Sequence, residues 1–421
     1  MNLTVRGRLA QLFAATLFIF APHLGQAQLS DKVGDWPQWR GLNRDGISAE
    51  KGLLPAWPEG GPKVLWSSKE IGIGYGSPAL VGDRLYILGD LADGCYALTL
   101  ERKTGKVIAK IRIGEPLGNA NYPGPRATPT IDGNLLITET QHGDVVCVDL
   151  AAGKLLWSKN LEKDLGGTRP MWHFGEAPLV DGNRVICTPG GSGGTLAALD
   201  KQTGKVLWRS VGFTDDATYV SVIPAEVAGV RQYLQMTVKS VAGVAADSGK
   251  VLWQAERIGV RAIVPTPVFA DNHVYVTSGY GVGCNLFKLE KSSTGFEAKQ
   301  VYANRVIANH HGGVIKLGDY VYGHSDTGGW TCQEFKTGKI VWQDRGVGKG
   351  SITYADGHFY CRSEDGQIAL VEVSTTGYQE KGRFMQPDRT SKKAWPHPVI
   401  GNGQLYIRDQ ALLLCYEVKA K

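Results

Sequence analysis

The chain has 421 residues and a net charge of +6, from 46 Lys and Arg against 40 Asp and Glu that are spread along the sequence. Nucleic-acid binding needs a concentrated cationic face, so this charge pattern argues against a nucleic-acid partner. The 55 Gly and 19 Pro, without a Gly-X-Y period, indicate many turns between short strands and therefore an all-β fold.

The first 27 residues have the pattern of a secretory signal peptide. Arg6 and Arg8 supply positive charge, a mostly apolar run follows from Leu9 to Ala21, and small residues allow cleavage after Ala27. The apolar run is too short to cross a bilayer and no later segment qualifies, so we expect no membrane span. No Cys lies near the cleavage site to carry a lipid anchor. These features predict a periplasmic or secreted protein.

Residues 28–62 are rich in Gly, Pro and Trp and do not share the pattern of the rest of the chain. We expect this segment to be a tether that packs on the folded domain through apolar burial of Trp36, Trp39 and Trp57. The domain itself is predicted to span residues 63–421.

From residue 63 onward the sequence repeats one unit. The clearest copy runs from Ala177 to Arg209 and contains two short strands, a third strand that ends at Asp200, a Thr-Gly-Lys turn and a last strand with Trp208. The period of 39 to 51 residues between turn glycines is that of a four-stranded propeller blade. These glycines are Gly105, Gly153, Gly204, Gly249, Gly295, Gly338 and Gly377.

Counting inner strands gives eight blades. The last unit stops at Val418, before its fourth strand, while residues 63–67 have the fourth-strand pattern with no blade before them. Strand 63–67 is therefore predicted to complete the C-terminal blade and to close an eight-bladed β-propeller of four-stranded antiparallel blades. The inner strands are predicted to begin near Ser77, Ala127, Glu176, Ser221, Pro265, His311, Lys349 and Trp395.

Two side-chain positions of the repeat are predicted to be structural. A Trp four residues after the turn glycine should dock one blade on the next, as a large ring with a single N–H to satisfy. Three cysteines, Cys147, Cys332 and Cys415, occupy the register that Ala198 holds in the clearest copy. They lie on different blades, too far apart to pair, so we expect buried free thiols. The docking tryptophans are Trp157, Trp208, Trp253 and Trp342.

The units of the form Ala-Leu-Asp-x-x-Thr-Gly-Lys-x-Leu-Trp resemble the pyrroloquinoline-quinone (PQQ) repeat propellers, over nearly all of residues 63–421. That family includes quinoprotein dehydrogenases and BamB-type outer-membrane assembly scaffolds. The opening Asp35-Trp-Pro-Gln-Trp-Arg-Gly41 and Asn43-Arg-Asp-Gly46 are similar to the start of exported members. The resemblance implies the propeller fold, because the motif residues build blades and do not contact a ligand.

A dehydrogenase function would require PQQ and Ca²⁺ on the propeller axis. Such enzymes typically carry two adjacent cysteines beside the quinone, whereas the seven cysteines here are isolated. No Cys-x-x-Cys-His haem site is present either. Binding of PQQ with Ca²⁺ therefore stays an open question, and the sequence features that usually accompany this cofactor are missing.

A ligand site is predicted at one mouth of the axial channel, where loops lead into the inner strands. The polar and aromatic residues at these positions are Arg126, His173, Glu176, Tyr219, His310, His311, Lys349, Trp395 and His397. Arg126 and Lys349 could hold an anionic group, and Trp395 and Tyr219 could stack on a sugar ring or a quinone.

Histidine and carboxylate side chains at the same mouth raise the question of a metal. His173, Glu176, His310 and His311 have the ligand types for Zn²⁺ or another divalent ion, and would also serve as general acids or bases. By contrast, the segments Ser363-Glu-Asp-Gly366 and Arg408-Asp-Gln410 are expected to be solvated turns on the opposite rim.

Two functions remain open from the sequence. The first is a BamB-like scaffold that binds a small molecule, a carbohydrate or an envelope protein without chemistry of its own. The second is an enzyme that uses the axial mouth, either a divergent quinoprotein oxidoreductase or a metal-assisted, sugar-active enzyme.

Overall fold

The computed structural model describes residues 29–118, 120–293 and 295–420. The signal peptide predicted for residues 1–27 lies outside the described residues. The described part of the chain forms strands, turns and loops, with no helix and hence no helix that could span a membrane.

The strands, in chain order, are β1 (Ile47–Ser48), β2 (Val64–Ser68), β3 (Ala79–Val81), β4 (Arg84–Leu91), β5 (Gly94–Glu101), β6 (Val107–Gly114), β7 (Thr130–Asp132), β8 (Leu135–Glu139), β9 (Asp144–Asp149), β10 (Lys154–Asn160), β11 (Leu179–Asp181), β12 (Arg184–Cys187), β13 (Ala197–Asp200), β14 (Val206–Arg209), β15 (Ile223–Val227), β16 (Val230–Met236), β17 (Ser240–Ala245), β18 (Val251–Glu256), β19 (Val268–Ala270), β20 (His273–Ser278), β21 (Gly283–Ser292), β22 (Gly295–Asn304), β23 (Val314–Leu317), β24 (Tyr320–Ser325), β25 (Gly329–Glu334), β26 (Ile340–Asp344), β27 (Gly350–Ala355), β28 (His358–Ser363), β29 (Gln367–Glu372), β30 (Gln379–Met385), β31 (Val399–Gly401), β32 (Gln404–Asp409) and β33 (Leu412–Glu417).

These strands form the predicted eight-bladed β-propeller. Blades 1 to 7 are the successive antiparallel sheets that begin at β3, β7, β11, β15, β19, β23 and β27, and blade 8 begins at β31. In each blade the first strand lies innermost, and it begins one to four residues after the predicted position. Blade 7 gains β1 as an additional parallel strand on its inner edge. The prediction of fold class is confirmed.

Blade 8 is completed by the N-terminal strand, as predicted. Strand β2 pairs antiparallel with β33, which sets Trp66 opposite Cys415 and Val64 opposite Tyr416. The strand lies one residue further along the chain than the predicted range 63–67. Its Trp66 side chain donates from Nε1 to the carbonyl of Arg102 in blade 1, at 3.1 Å. Strand β2 thus pairs with the last strand of the chain, connects blade 8 to blade 1 through Trp66, and removes a free strand edge.

The outer-strand tryptophans pack in a repeated register. Each stands opposite a small residue of the third strand, beside a shift in strand pairing, so that Trp157 faces Cys147 and Trp342 faces Cys332. The same pairing sets Trp208 opposite Ala198. The seven cysteines are all buried and free. The predicted register of Cys147, Cys332 and Cys415 is confirmed, since a small side chain leaves room for the ring that faces it.

The tryptophans also connect neighbouring blades. Trp157 donates from Nε1 to the Lys201 carbonyl of blade 3, and Trp208 and Trp342 make the same bond to their next blades. The turn glycine of the next blade receives the ring, because a Cβ on Gly204 would lie 2.7 Å from Trp157. Trp253 packs against apolar residues of blade 5 but donates to Gln232 of its own blade. Blade 5 has the longer β21–β22 hairpin in place of the Thr-Gly-Lys turn.

The segment before β2 lies on the base face, which we define as the face that carries the turns between the first and second strands of the blades. Asp35 accepts a hydrogen bond from the backbone N–H of Gly82 in the turn of blade 1. Glu50 accepts from the backbone N–H groups of Asn402 and Gly403 in the turn of blade 8. Both anchor points are therefore at the base, on either side of an intervening stretch of chain.

That intervening stretch, residues 36–48, enters the axial channel, and we call it the plug. Trp36 exchanges two backbone hydrogen bonds with Leu80 in blade 1, and the Pro37 carbonyl accepts from Ile131 in blade 2. Further along, β1 pairs with β27 in blade 7.

Polar side chains of the plug reach the remaining blades. Arg44 donates to the carbonyls of Ala177 in blade 3 and Val222 in blade 4. Trp39 donates to Thr266 before β19 in blade 5, Arg40 to Val314 in blade 6, and Ser48 to Ile400 in blade 8. A segment that touches the inner edge of every blade must lie on the axis, so the plug fills the centre of the ring.

Candidate functional site

The mouth opposite the base is formed by two sets of loops in each blade. The chain descends through the first strand and returns through the second, so the loop before the first strand and the turn after the second strand share one face. Ser363–Gly366 and Arg408–Gln410 therefore lie at the same mouth as the predicted site, and the expectation of the opposite rim was wrong.

Those turns support the loops at this mouth and are not simply solvated. Glu364 Oε1 lies 2.7 Å from His311 Nε2 and accepts a hydrogen bond from Trp395 Nε1 at 3.0 Å. The fully buried Arg408 guanidinium donates to the carbonyls of Gly72 and Gly76, in the loop before β3. A carboxylate and an arginine thus hold the residues that precede inner strands in place.

At this mouth lies a cavity of about 220 Å³, which we call the cup. Its wall is mainly aromatic, and the plug closes it from below with Trp39, whose ring lies 4.7 Å from that of His397. On one side Trp395 lies 4.9 Å from both Tyr75 and Tyr122, measured between ring centroids. The aromatic lining residues are Trp39, Tyr75, Tyr122, Trp172, Tyr219, Tyr280 and Trp395.

Six of the nine predicted site residues line the cup. They come from the loops that precede the inner strands of four different blades, and the fold brings them together around one cavity. These residues are Arg126, Tyr219, His310, His311, Trp395 and His397.

The other three predicted residues do not line the cup. His173 lies beside His142, at 6.2 Å between ring centroids. Glu176 is buried in the channel wall, where Oε1 accepts from the Val222 backbone N–H. Lys349 is held by Asp326, with 2.9 Å between Nζ and Oδ1. Glu176 lies between the lining residues Gly175 and Ala177 yet does not line the cup itself, because successive side chains of an extended segment point to opposite faces.

Burial keeps the cup histidines neutral at neutral pH. Burial lowers the pKa of His310 to about 4, and Lys349 adds to the effect. The pKa of His397 falls to about 3 through burial and the nearby Arg40, and the pKa of His311 is also well below its usual value because of burial. A neutral imidazole can accept or donate a hydrogen bond without adding charge to the cavity.

The charge of the cup wall comes from Arg126. Its guanidinium donates to the carbonyls of Tyr122 and Gly124 in its own loop, and among the described residues no carboxylate forms an ion pair with it. Burial lowers the pKa of Arg126, but arginine remains protonated at any physiological pH. The cup therefore offers a guanidinium that no carboxylate contacts among the described residues, with the Asp90 charge acting on it from a longer distance.

Comparison with known proteins identifies the family. The sequence profile described as outer membrane protein assembly factor BamB, of the PQQ-repeat type, matches residues 98–344, which is more than half of the chain. The chain belongs to this BamB-like PQQ-repeat family.

Individual relatives of the PQQ-repeat family are distant. The outer membrane protein assembly factors BamB of Kangiella koreensis and Moranella endobia are 26% identical over 218 residues and 25% identical over 233 residues. These matches cover 49% and 50% of this chain, and 49% and 54% of those proteins. The chain thus spans about half the length of the curated relatives it matches.

The similarity to solved structures concerns the fold alone. BamB from Moraxella catarrhalis superposes with a TM-score of 0.57 at 16% identity, over 80% of this chain and 94% of that one. A quinohemoprotein alcohol dehydrogenase from Comamonas testosteroni reaches 0.63 at 12% identity, over 92% and 81%. A BamB and a quinohemoprotein alcohol dehydrogenase are therefore both similar to the chain in fold.

PQQ with Ca²⁺ does not fit the residues of this PQQ-repeat protein. Ca²⁺ takes six to eight oxygen ligands, often from carboxylates, and the cup lining contains no Asp, Glu, Asn or Gln. The axis itself is filled by the plug. Nor do His173, Glu176, His310 and His311 form a metal site, since they lie on blades 3 and 6. Among the described residues no group of three or more His, Cys, Asp or Glu could hold a metal ion.

Several lining residues were absent from the predicted site, for different reasons. Tyr280 lies in the turn after β20, and the rule that such turns share the cup face would have found it. Tyr122 and Trp172 lie in the long loops before β7 and β11. Both are further from the start of the strand than the residues that the prediction took from the same loops. Trp39 comes from the N-terminal segment, where it is half-buried and not simply an apolar anchor.

Proposed function

We propose that this chain is a ligand-binding β-propeller of the cell envelope, whose cup holds a small, negatively charged molecule of the acidic sugar class. The observation that supports this proposal is the aromatic cup with one cation in its wall, Arg126, which no carboxylate contacts among the described residues. An acidic ligand would supply a negative group in direct contact, and the guanidinium fork suits a carboxylate.

The aromatic wall favours a ring-shaped ligand. The C–H faces of a sugar ring pack on aromatic side chains, and Tyr75, Tyr122 and Trp395 are close enough together to present such a surface. The cup volume of about 220 Å³ is below the roughly 300–1,000 Å³ of drug-sized ligand pockets, which favours a ligand of one or two rings.

The envelope location is proposed on two grounds. The signal-peptide pattern of residues 1–27 is typical of exported proteins, and the curated relatives are named as outer membrane assembly factors. Those names also suggest an envelope protein as partner. The cup is the feature of this chain that favours a small ligand over a role limited to assembly.

Thermal unfolding and calorimetry with galacturonic acid, its dimer and neutral galactose test the proposal. A ligand of the folded state at 100 times its Kd adds about 2.7 kcal/mol to the free energy of unfolding, which raises the midpoint. We expect the acidic sugars to bind, and Arg126→Met to weaken their binding at least tenfold while galactose binding is unchanged.

Arg345→Met is the matched control, because Arg345 is an exposed arginine that does not line the cup. If no acidic sugar raises the midpoint of the wild-type protein, the proposal fails. It also fails if the Arg126 and Arg345 variants behave alike.

A second candidate function is an enzyme at the same cup, and the contact between His311 and Glu364 favours it. A carboxylate beside one ring nitrogen orients an imidazole, as in acid–base sites, and the low pKa leaves His311 neutral. With an acidic oligosaccharide bound, His311 would take the proton from the carbon next to the carboxylate, and the carbon–oxygen bond at C4 would break. The departing sugar oxygen would take up the proton from His311, which leaves a carbon–carbon double bond in the remaining sugar. Ultraviolet absorbance of that unsaturated product, lost in Glu364→Gln, would establish the enzyme, and a flat signal would exclude this reaction.

A further inference from the structure

The floor of the cup belongs to a part of the chain outside the repeats. Trp39 lines the cavity from below, with its ring 4.7 Å from His397 and its Nε1 donating to Thr266 at 2.9 Å. Both contacts are with residues that precede inner strands, in blades 8 and 5. The indole is therefore held between two blades at the point where the channel would otherwise continue towards the base.

Two arginines hold the plug that carries this tryptophan. Arg44 is buried and donates three hydrogen bonds to the propeller, at the carbonyls of Ala177, Pro178 and Val222. Arg40 donates to the Val314 carbonyl across the channel and to the Asp45 carbonyl within the plug. Because charged donors make the stronger hydrogen bonds and each arginine is buried, the position of the plug is set by several blades together.

The backbone around the plug approaches the Arg40 side chain closely at two glycines. Gly46 has a positive φ of 80°, and a Cβ there would lie 2.8 Å from the Arg40 guanidinium. Gly313 of blade 6, also at positive φ, would place a Cβ 2.1 Å from the same guanidinium. The glycines thus permit a close approach between plug and propeller that other residues would prevent.

We propose that Trp39 is the residue that determines ligand size in this protein, and that the plug makes the cup a closed site in place of an open channel. The part of this inference that concerns the ligand rests on the proposed function. The closing of the channel by Trp39, which we call the seal, does not depend on it. The N-terminal segment, in this view, contributes the floor of the binding site, while the blades contribute only the walls.

The ligand test compares Trp39→Ala with Trp57→Ala. Trp57 is a buried tryptophan of the same N-terminal segment that packs on Tyr360 and Phe384, away from the cup. Both variants lose one indole from that segment. We expect Trp39→Ala to bind galacturonic acid at least tenfold more weakly and to shift its preference towards the dimer, and Trp57→Ala to bind both as the wild type does. Equal affinities in the two variants would overturn the inference.

A labelling test examines the seal without any ligand. Thr266 is buried next to Trp39 and does not line the cup, so a Thr266→Cys thiol should be protected by the indole. We expect iodoacetamide to modify residue 266 at least tenfold faster when Trp39→Ala is added and at the original slow rate when Trp57→Ala is added. Mass spectrometry of the peptide that carries residue 266 gives the rates.

The two tests fail separately. If galacturonic acid does not bind the wild-type protein, the proposed function is lost, while slow labelling that Trp39→Ala accelerates still supports the closed floor. If residue 266 reacts quickly with Trp39 in place, the plug does not seal the channel and the inference is wrong.

Discussion

Replacement of Glu176 by Gln should change how the stability of the protein depends on pH. Glu176 is 2% exposed, and its Oε2 has no hydrogen-bond partner in the structure. Burial raises its pKa from 4.5 to about 7, although Arg44 nearby opposes the shift. The neighbouring Glu139 is equally buried, and burial together with the Glu176 charge raises its pKa as well.

The sign follows from proton binding. Because the pKa of Glu176 is higher in the folded protein than in the unfolded chain, the folded state holds this proton more tightly between pH 4.5 and 7. The stability that this carboxyl contributes is fully present below pH 4.5 and is lost as the pH rises through about 7. A pKa displaced by that amount corresponds to about 3 kcal/mol.

In Glu176→Gln the amide has no carboxyl proton to release, so the stability of the variant does not fall with pH for this reason. We expect the free energy of unfolding of the variant, relative to the wild type, to increase by up to about 3 kcal/mol between pH 5 and pH 8. Urea unfolding at several pH values measures the difference. The buried histidines titrate in both proteins and cancel from the difference, whereas the carboxyl of Glu139 contributes to it, because the Glu176 charge that raises its pKa is absent from the variant.

Glu226→Gln is the control, because Glu226 is an exposed carboxylate of blade 4 whose removal should give a flat difference. A Glu176→Gln difference that is constant from pH 5 to pH 8, or that falls with pH, would refute the reasoning. It would show that Arg44 keeps Glu176 ionised in the folded protein throughout this range.

Three further changes test the architecture. Trp66→Ala should lower the free energy of unfolding by about 2 kcal/mol, because strand β2 loses its half-buried ring and its hydrogen bond to blade 1. An unchanged midpoint of urea unfolding would contradict this. Gly153→Ala should lower the free energy of unfolding by about 1 kcal/mol, because of its positive φ alone. Gly204→Ala should lower it clearly more, because the added Cβ also meets the Trp157 ring. Equal losses in the two variants would argue against tight docking of Trp157. The seven thiols should resist a thiol reagent in the folded protein and all react in denaturant, so rapid reaction without denaturant would contradict their burial.

The repeat determined most of the architecture. Each blade is a local unit of three hairpins, so turn glycines, short apolar strands and outer tryptophans specify it over about 45 residues. The missing fourth strand of the last unit predicted the pairing of β2 with β33, because an unpaired edge at the end of a ring has few ways to be satisfied. The cysteine register followed from the same pattern.

The site could be predicted in part. Positions before inner strands must face one mouth in a propeller, and that rule found Arg126, His310, His311 and Trp395. It could not separate lining residues from their neighbours, because a shift of one residue turns a side chain away. Lys349 is bound by Asp326, and Glu176 lies inside the channel wall.

Only the tertiary structure decided the centre of the molecule. Residues 36–48 have no periodic pattern, and Arg44 and Arg40 donate hydrogen bonds to the carbonyls of Ala177 and Val314, which lie 133 and 274 residues away in the sequence. These acceptors exist as a ring only after the blades have closed. The depth of the cup, its Trp39 floor and the blocked axis are therefore properties of the assembled propeller, since no local pattern encodes contacts made to eight blades at once.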